Sequence, residues 1–257
     1  MSTLHILVLG LIAGGTIFLG LPVARIKNPP RVLQSFLNAV ATGILFFLLY
    51  DVLSGAINPV NRALPSVHGG SLGTFLPDLL ALLIGISAGL LGLVVFEQRF
   101  IRRDPSSMPA GAHLGYMIAA GIGMHNFSEG LAIGQAATTG AIQLAAILII
   151  GFGLHNMTEG FGISAPLAGG ASWAFIGLAG LIGGGPTFLG TMVGMIFHAE
   201  VVYILFLALA AGSIIYVLSQ LLPMVRRAPT VELAMAGVVV GFVVAYGTDL
   251  VLVAAGA

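Results

Sequence analysis

Apolar residues run through this chain in long stretches, interrupted by short polar, glycine-rich or proline-rich segments. A helix that crosses a bilayer needs about 20 mostly apolar residues. Eight stretches of that kind lie near residues 4–24, 32–53, 74–97, 110–136, 142–166, 172–194, 199–223 and 232–254. The pattern predicts an all-α polytopic membrane protein with eight transmembrane helices, forming one transmembrane domain over residues 1–257. The connections are short. The longest, about 54–73, is rich in Gly, Pro and Ser and reads as an external loop. The sixth and seventh stretches are the least clearly separated, because residues 191–200 hold little turn chemistry.

Composition narrows the class. Hydrophobic residues make up 58% of the chain and charged residues 7%, against about 25% charged in a soluble domain. A water-facing surface cannot be built from so few charges, which excludes a cytosolic enzyme and a disordered regulator. Net charge +0 with no basic patch excludes a nucleic-acid partner. The absence of cysteine removes disulfides, thiolate metal ligands and cysteine nucleophiles. Glycine is abundant, at 37 residues. The spaced pairs Gly10/Gly14, Gly85/Gly89, Gly130/Gly134 and Gly190/Gly194 predict helices that approach closely.

The cations set an orientation. Arg25, Lys27 and Arg31 follow the first stretch, Arg99, Arg102 and Arg103 the third, and Arg226 and Arg227 the seventh. Only Arg62 falls on the opposite side, so eight of nine cations share one face. The positive-inside rule makes that face cytoplasmic. The expectation is a multi-pass protein of the cell (inner) membrane with both termini outside. The opening residues MSTLH lack the positive segment of a signal peptide, so the first helix reads as uncleaved. Trp173 reads as an anchor at the cytoplasmic interface.

The chemistry is concentrated in a near-duplicate. Residues 121–134 read GIGMHNFSEGLAIG and residues 151–164 read GFGLHNMTEGFGIS. Each places His-Asn-x-(Ser/Thr)-Glu-Gly near mid-span, and antiparallel neighbours would bring the two to similar depth. At about 100° per residue, His125 and Glu129 lie roughly 40° apart around the helix, with Asn126 in the same sector. His155, Asn156 and Glu159 repeat that geometry. A charged residue at the centre of a bilayer costs about 2.5–3.5 kcal/mol on insertion scales, and no Arg or Lys occurs in these stretches to pair the carboxylates. Two Glu and two His without a basic partner call for protons, water or a metal. Imidazole and carboxylate together suit zinc, iron, manganese, cobalt and cadmium. Polar contacts holding a bundle together are the plain alternative, but two matching hexads in adjacent helices are hard to explain that way.

HNFSEG and HNMTEG resemble the signature motifs of the ZIP family of divalent-metal transporters, closest to its bacterial GufA-like branch. The length, the eight spans and the outward termini are similar too. The resemblance implies a 3+2+3 helix arrangement with inverted outer repeats and a binuclear metal site between the fourth and fifth helices. It implies His125, Asn126, Glu129, His155, Asn156 and Glu159 as ligands, with Glu129 and Glu159 as bridging carboxylates. It implies transport of a divalent transition-metal ion into the cytoplasm, zinc first, with iron, manganese, cobalt or cadmium as further substrates. The partners implied are the metal-ion substrate, the lipid bilayer and a second copy in a homodimer, with no nucleic acid. An intramembrane metal-dependent hydrolase is the alternative, using the same ligands to activate water, although the chain has no HExxH.

Two departures stand out. Ser128 and Thr158 occupy the position before each Glu where the family usually has Pro. Their hydroxyls can bond a carbonyl one turn back or support the Glu from a second layer. The sixth stretch reads Gly183-Gly184-Gly185-Pro186, so the carboxylate that many relatives place before this Pro is missing. A second ion is then expected to bind more weakly. Pro186 frees a carbonyl near Ile182. Asp51, His198 and Glu200 are expected near the external interface as residues of the ion pathway. Asp78 is expected at the same level, solvated or capping its helix start, and Asp249, deeper in the last span, is expected near the outer interface, with a place on the ion pathway as the alternative.

Overall fold

The computed structural model describes residues 2–26, 30–68, 72–101, 110–138, 142–167, 170–196 and 199–254. Among them every regular element is helical. The first apolar stretch forms α1 (Thr3–Gly15), α2 (Ile17–Gly20) and a closing 3-10 turn, Leu21–Arg25. Ser2 caps α1, its hydroxyl accepting the His5 N–H at 3.4 Å. The chain continues through α3 (Arg31–His68), α4 (Phe75–Phe96), α5 (Ala110–Thr138), α6 (Ile142–Ser164), α7 (Trp173–Gly194), α8 (Glu200–Arg226) and α9 (Val231–Ala254). Ser172 opens α7 by accepting the Phe175 N–H at 3.1 Å, which satisfies one of the donors a helix start leaves free.

Six described segments are long and apolar enough to cross a membrane, beginning at Thr3, Arg31, Phe75, Trp173, Glu200 and Val231. α5 and α6 have 29 and 23 residues, long enough to span, with the His-Asn motifs interrupting their apolar runs. Large apolar side chains such as Leu19, Leu83, Leu181, Val239 and Val243 point outward, each more than half exposed. Such a coat is unstable in water and suited to lipid. The chain is a multi-pass helical membrane protein.

The structure corrects the sequence reading in two places. The region 54–73 was expected to be a loop, but α3 stays helical through His68, with Pro59 and Pro65 inside it. The stripe Leu48, Val52, Ala56 and Val60 explains this: it is spaced by four residues and buried in the main core. Packing of that stripe outweighs the local cost of proline. Arg62 therefore lies on a helix and pairs with Glu200 at the start of α8. The first stretch is also not one continuous helix. It breaks at Thr16, whose hydroxyl donates to the Ala13 carbonyl at 2.7 Å.

α5 and α6 sit inside the bundle. α5 packs on α7, α8 and α6, and α6 packs on α1, α2, α3 and α9. Around them α4 lies against α8, α9 against α3, α3 against α8, and α1 against α7. All four predicted glycine pairs lie at helix contacts. A Cβ on Gly130 would meet the Thr187 carbonyl of α7, and one on Gly190 would meet the Phe127 carbonyl of α5. Gly134 and Gly194 repeat this one turn further along. Gly10 and Gly14 face α7, and Gly85 and Gly89 face α8. The backbones touch there, which draws α5 against α7 and fixes the depth of the first hexad. At the cationic end, Arg25 donates to the Ala171 carbonyl at 2.8 Å and lies 5.1 Å over the exposed Trp173 ring.

The α5–α7 contact is directly testable. Gly190→Val should lower the thermal unfolding midpoint of the purified protein, with a cost of about 1–3 kcal/mol or more for overpacking. Gly177→Ala, on the same helix with open space where its Cβ would go, should be neutral or slightly stabilising. Equal midpoints for the two variants would contradict backbone contact at Gly190.

Candidate metal centre

Each hexad presents one face of its helix to the other. His125, Asn126 and Glu129 come from α5 and His155, Asn156 and Glu159 from α6, and all six are buried. The two imidazoles lie with ring centroids 5.8 Å apart, and Phe47 of α3 packs 6.3 Å from the His155 ring. His125 Nε2 is 3.3 Å from Glu129 Oε1 and 3.9 Å from Glu159 Oε1. His155 Nε2 is 3.6 Å from Glu159 Oε1. One ligand atom each from His125, Glu129 and His155 fall within 4.8 Å of one another. A tetrahedral ion with bonds of about 2.0–2.1 Å to nitrogen and oxygen has ligand–ligand edges of about 3.3 Å. The donors thus stand at or slightly beyond that spacing, and small side-chain movements would close them on a cation.

The two asparagines behave differently from each other. Asn126 Nδ2 donates to Asn156 Oδ1 and to the Gly183 carbonyl of α7 at 3.0 Å. Asn156 Nδ2 donates to Glu129 Oε2 at 3.2 Å and to the Phe152 carbonyl of its own helix at 2.8 Å. Asn156 thereby orients Glu129, while the Asn126 oxygen is buried without a hydrogen-bond partner among the described residues. Both Glu159 oxygens and both His125 nitrogens are also buried without one. Unmet buried polar atoms are costly, and beside them one ligand atom each of His125, Glu129 and His155 stands close enough to the others to share an ion. Such a cluster could hold a divalent cation.

The two hydroxyls before the glutamates also diverge. Thr158 donates to the His155 carbonyl at 2.7 Å, so it turns back along its helix. Ser128 Oγ is buried without a hydrogen-bond partner among the described residues. It lines a cavity of about 130 Å³ together with His125, Glu129, Asp51, Tyr203 and Asp249. Asp51 therefore stands beside the centre. Asp249, expected near the outer interface with the pathway as the alternative, lines the same cavity. Asp78 is buried rather than solvated, at 3% exposure in the first turn of α4. Glu200 is on the surface, 2.6 Å from Arg62. His198 lies outside the described residues. Sequence reasoning missed Tyr203 and the inward turn of Asp249, because each is a lone polar residue in an apolar helix and carries no motif.

Pro186 sits within α7 one turn after Ile182. In this region α7 offers the centre a backbone carbonyl, that of Gly183, and no carboxylate. The ion-pair partners of Glu129 and Glu159 among the described residues are the two histidines, with no Arg or Lys against either carboxylate.

Comparison with known proteins agrees with this geometry. The pattern of the ZIP zinc transporter family matches residues 101–248, more than half of the chain and inclusive of both motif helices. No curated protein matches the sequence. A transporter family leaves no place for the hydrolase alternative. With the paired His/Glu faces and the family match together, the chain belongs to the ZIP zinc transporter family, whose members move divalent metal ions across membranes.

Proposed function

We propose that this protein carries divalent transition-metal ions, zinc first among them, into the cytoplasm through the site between α5 and α6. The carrying observation is the convergence of His125, Glu129, His155 and Glu159 with no basic partner. Buried carboxylates in that setting gain most from a cation, and imidazole selects the borderline-soft metals over calcium or magnesium. His125, Glu129 and His155 form the core of the site, Glu159 closes it and the Asn126 oxygen offers a further donor. Asn156 acts by orienting Glu129. Iron, manganese, cobalt and cadmium remain substrates the same donors accept.

The cavity holding Asp51, Asp249 and Tyr203 is read as the approach to the site. Two carboxylates there raise the local cation concentration before dehydration. Inward direction is what the resemblance to the family implies; the placing of eight of nine cations on one face orients the chain in the cell (inner) membrane, with both termini outside.

An eight-span 3+2+3 arrangement with inverted repeats is part of the same reading, and the helix contacts support it. Suppose a two-fold axis in the membrane plane exchanges the first three spans with the last three and α5 with α6. The α4–α8 contact then corresponds to α9–α3, and α1 and α2 against α6 correspond to α7 against α5. The contacts α1–α7, α3–α8 and α5–α6 map onto themselves. Two copies of one motif at one depth are what such an axis produces. Repeats of this kind allow one bundle to move against the other around a fixed site.

Uptake by proteoliposomes provides the test. His125→Ala and Glu129→Ala should each cut zinc uptake at least tenfold while the protein still inserts, and His155→Ala with Glu159→Ala should do the same. Wild-type uptake in either case would reject the site. Metal titration of the purified protein should show one tight ion, with any second ion about tenfold weaker or more, since α7 adds a carbonyl in place of a carboxylate. Two ions of equal affinity would contradict that stoichiometry.

A further inference from the structure

A sizeable cavity lies away from the metal centre, at the cation-rich end of the bundle. It occupies about 540 Å³ between the start of α3 and the end of α8 and is lined by Arg31, Gln34, Ser35, Asn38, Met224 and Arg227. The α3 residues 31, 34, 35 and 38 follow helical spacing, so they form one face. No carboxylate lines this cavity. Neither guanidinium has an ion-pair partner among the described residues. Asn38 is 95% buried, with 5% exposure, and its Oδ1 has no hydrogen-bond partner among them. Its amide makes no other bond there, so a flip of the amide would present Nδ2 to an anion at no cost in hydrogen bonds. The first turn of α3 carries no acidic residue, and its amino-terminal end adds a partial positive charge.

Two unpaired guanidiniums, three uncommitted polar side chains and a helix start around one space make a cradle for a tetrahedral oxyanion. We propose that this pocket binds a phosphate group, borne by an anionic lipid headgroup or free in the adjoining solution. Its position at the membrane face with the excess of cations is where anionic headgroups meet basic side chains. Occupancy would tie the α3 start to the α8 end and neutralise two like charges that otherwise repel.

The probe is the full-length protein in neutral phosphatidylcholine, with phosphatidylglycerol or inorganic phosphate added, read by native mass spectrometry and thermal stability. Wild type should retain phosphatidylglycerol and gain stability. Arg31→Gln with Arg227→Gln should weaken retention roughly 30-fold, at about fivefold for each guanidinium. Arg226→Gln removes an exposed charge of the same helix end that does not line the pocket, and it should leave retention unchanged. Competition by inorganic phosphate identifies a soluble source, and lipid retention unaffected by phosphate identifies the headgroup. Should the double variant fail to insert, Ser35→Leu, which fills the cavity without removing charge, must produce the same loss. Binding of neither ligand overturns the proposal, as does equal loss in Arg226→Gln. Zinc uptake is a separate readout, so failure here leaves the metal site standing.

Discussion

Two glutamates buried in a membrane bundle without a basic neighbour set the terms for the rest of the molecule. An ionised carboxylate in this setting is stable only with protons, water or a cation beside it. The protein places two imidazoles against the two carboxylates, and both Glu159 oxygens are left without a hydrogen-bond partner among the described residues. Had Arg or Lys stood in α5 or α6, the carboxylates would be neutralised permanently and a passing ion would find no vacancy. Leaving the carboxylates without Arg or Lys makes the pair costly alone and would make it favourable beside a cation.

That constraint passes outward to the packing. The contacts that cross between the helices, His125 to Glu159 at 3.9 Å and Asn156 to Glu129 at 3.2 Å, require α5 and α6 to keep their relative depth and rotation. α5 is held by backbone contact with α7 at Gly130, Gly134, Gly190 and Gly194. Lipid tails are as apolar as leucine, so close van der Waals contact rather than hydrophobic burial drives this association. On the other side α6 is held through Gly160, where an added Cβ would meet the Ile17 carbonyl of α2. The abundance of glycine and the rarity of charge in the composition are thus two sides of one design: small residues position helices that carry a few expensive groups.

Much of this was legible in the sequence. Long apolar runs mark the helices because a bilayer leaves the backbone little alternative, and the repeated hexads mark the site because unpaired carboxylates have few other uses at that depth. What was hidden depends on tertiary contacts. The helical continuation of α3 past Pro59 comes from a stripe whose partner is α8, and a local reading sees only Gly, Pro and Ser. Asp249 joins the cavity because of the rotation of α9, which hydropathy does not encode. Glu200 was expected near the ion pathway and has Arg62 as its partner, a pairing visible only once α3 extends far enough to reach α8.

The near-identity of the two hexads also conceals a division of labour. α5 faces α7, so Asn126 reaches across to the Gly183 carbonyl. On α6, Asn156 instead donates to its own helix at the Phe152 carbonyl and to Glu129. Glu129 is therefore oriented by a neighbour's amide, while Glu159 stands 3.9 Å from His125 Nε2 and 3.6 Å from His155 Nε2. Near-identical motifs placed against different neighbours thus give their two carboxylates different surroundings.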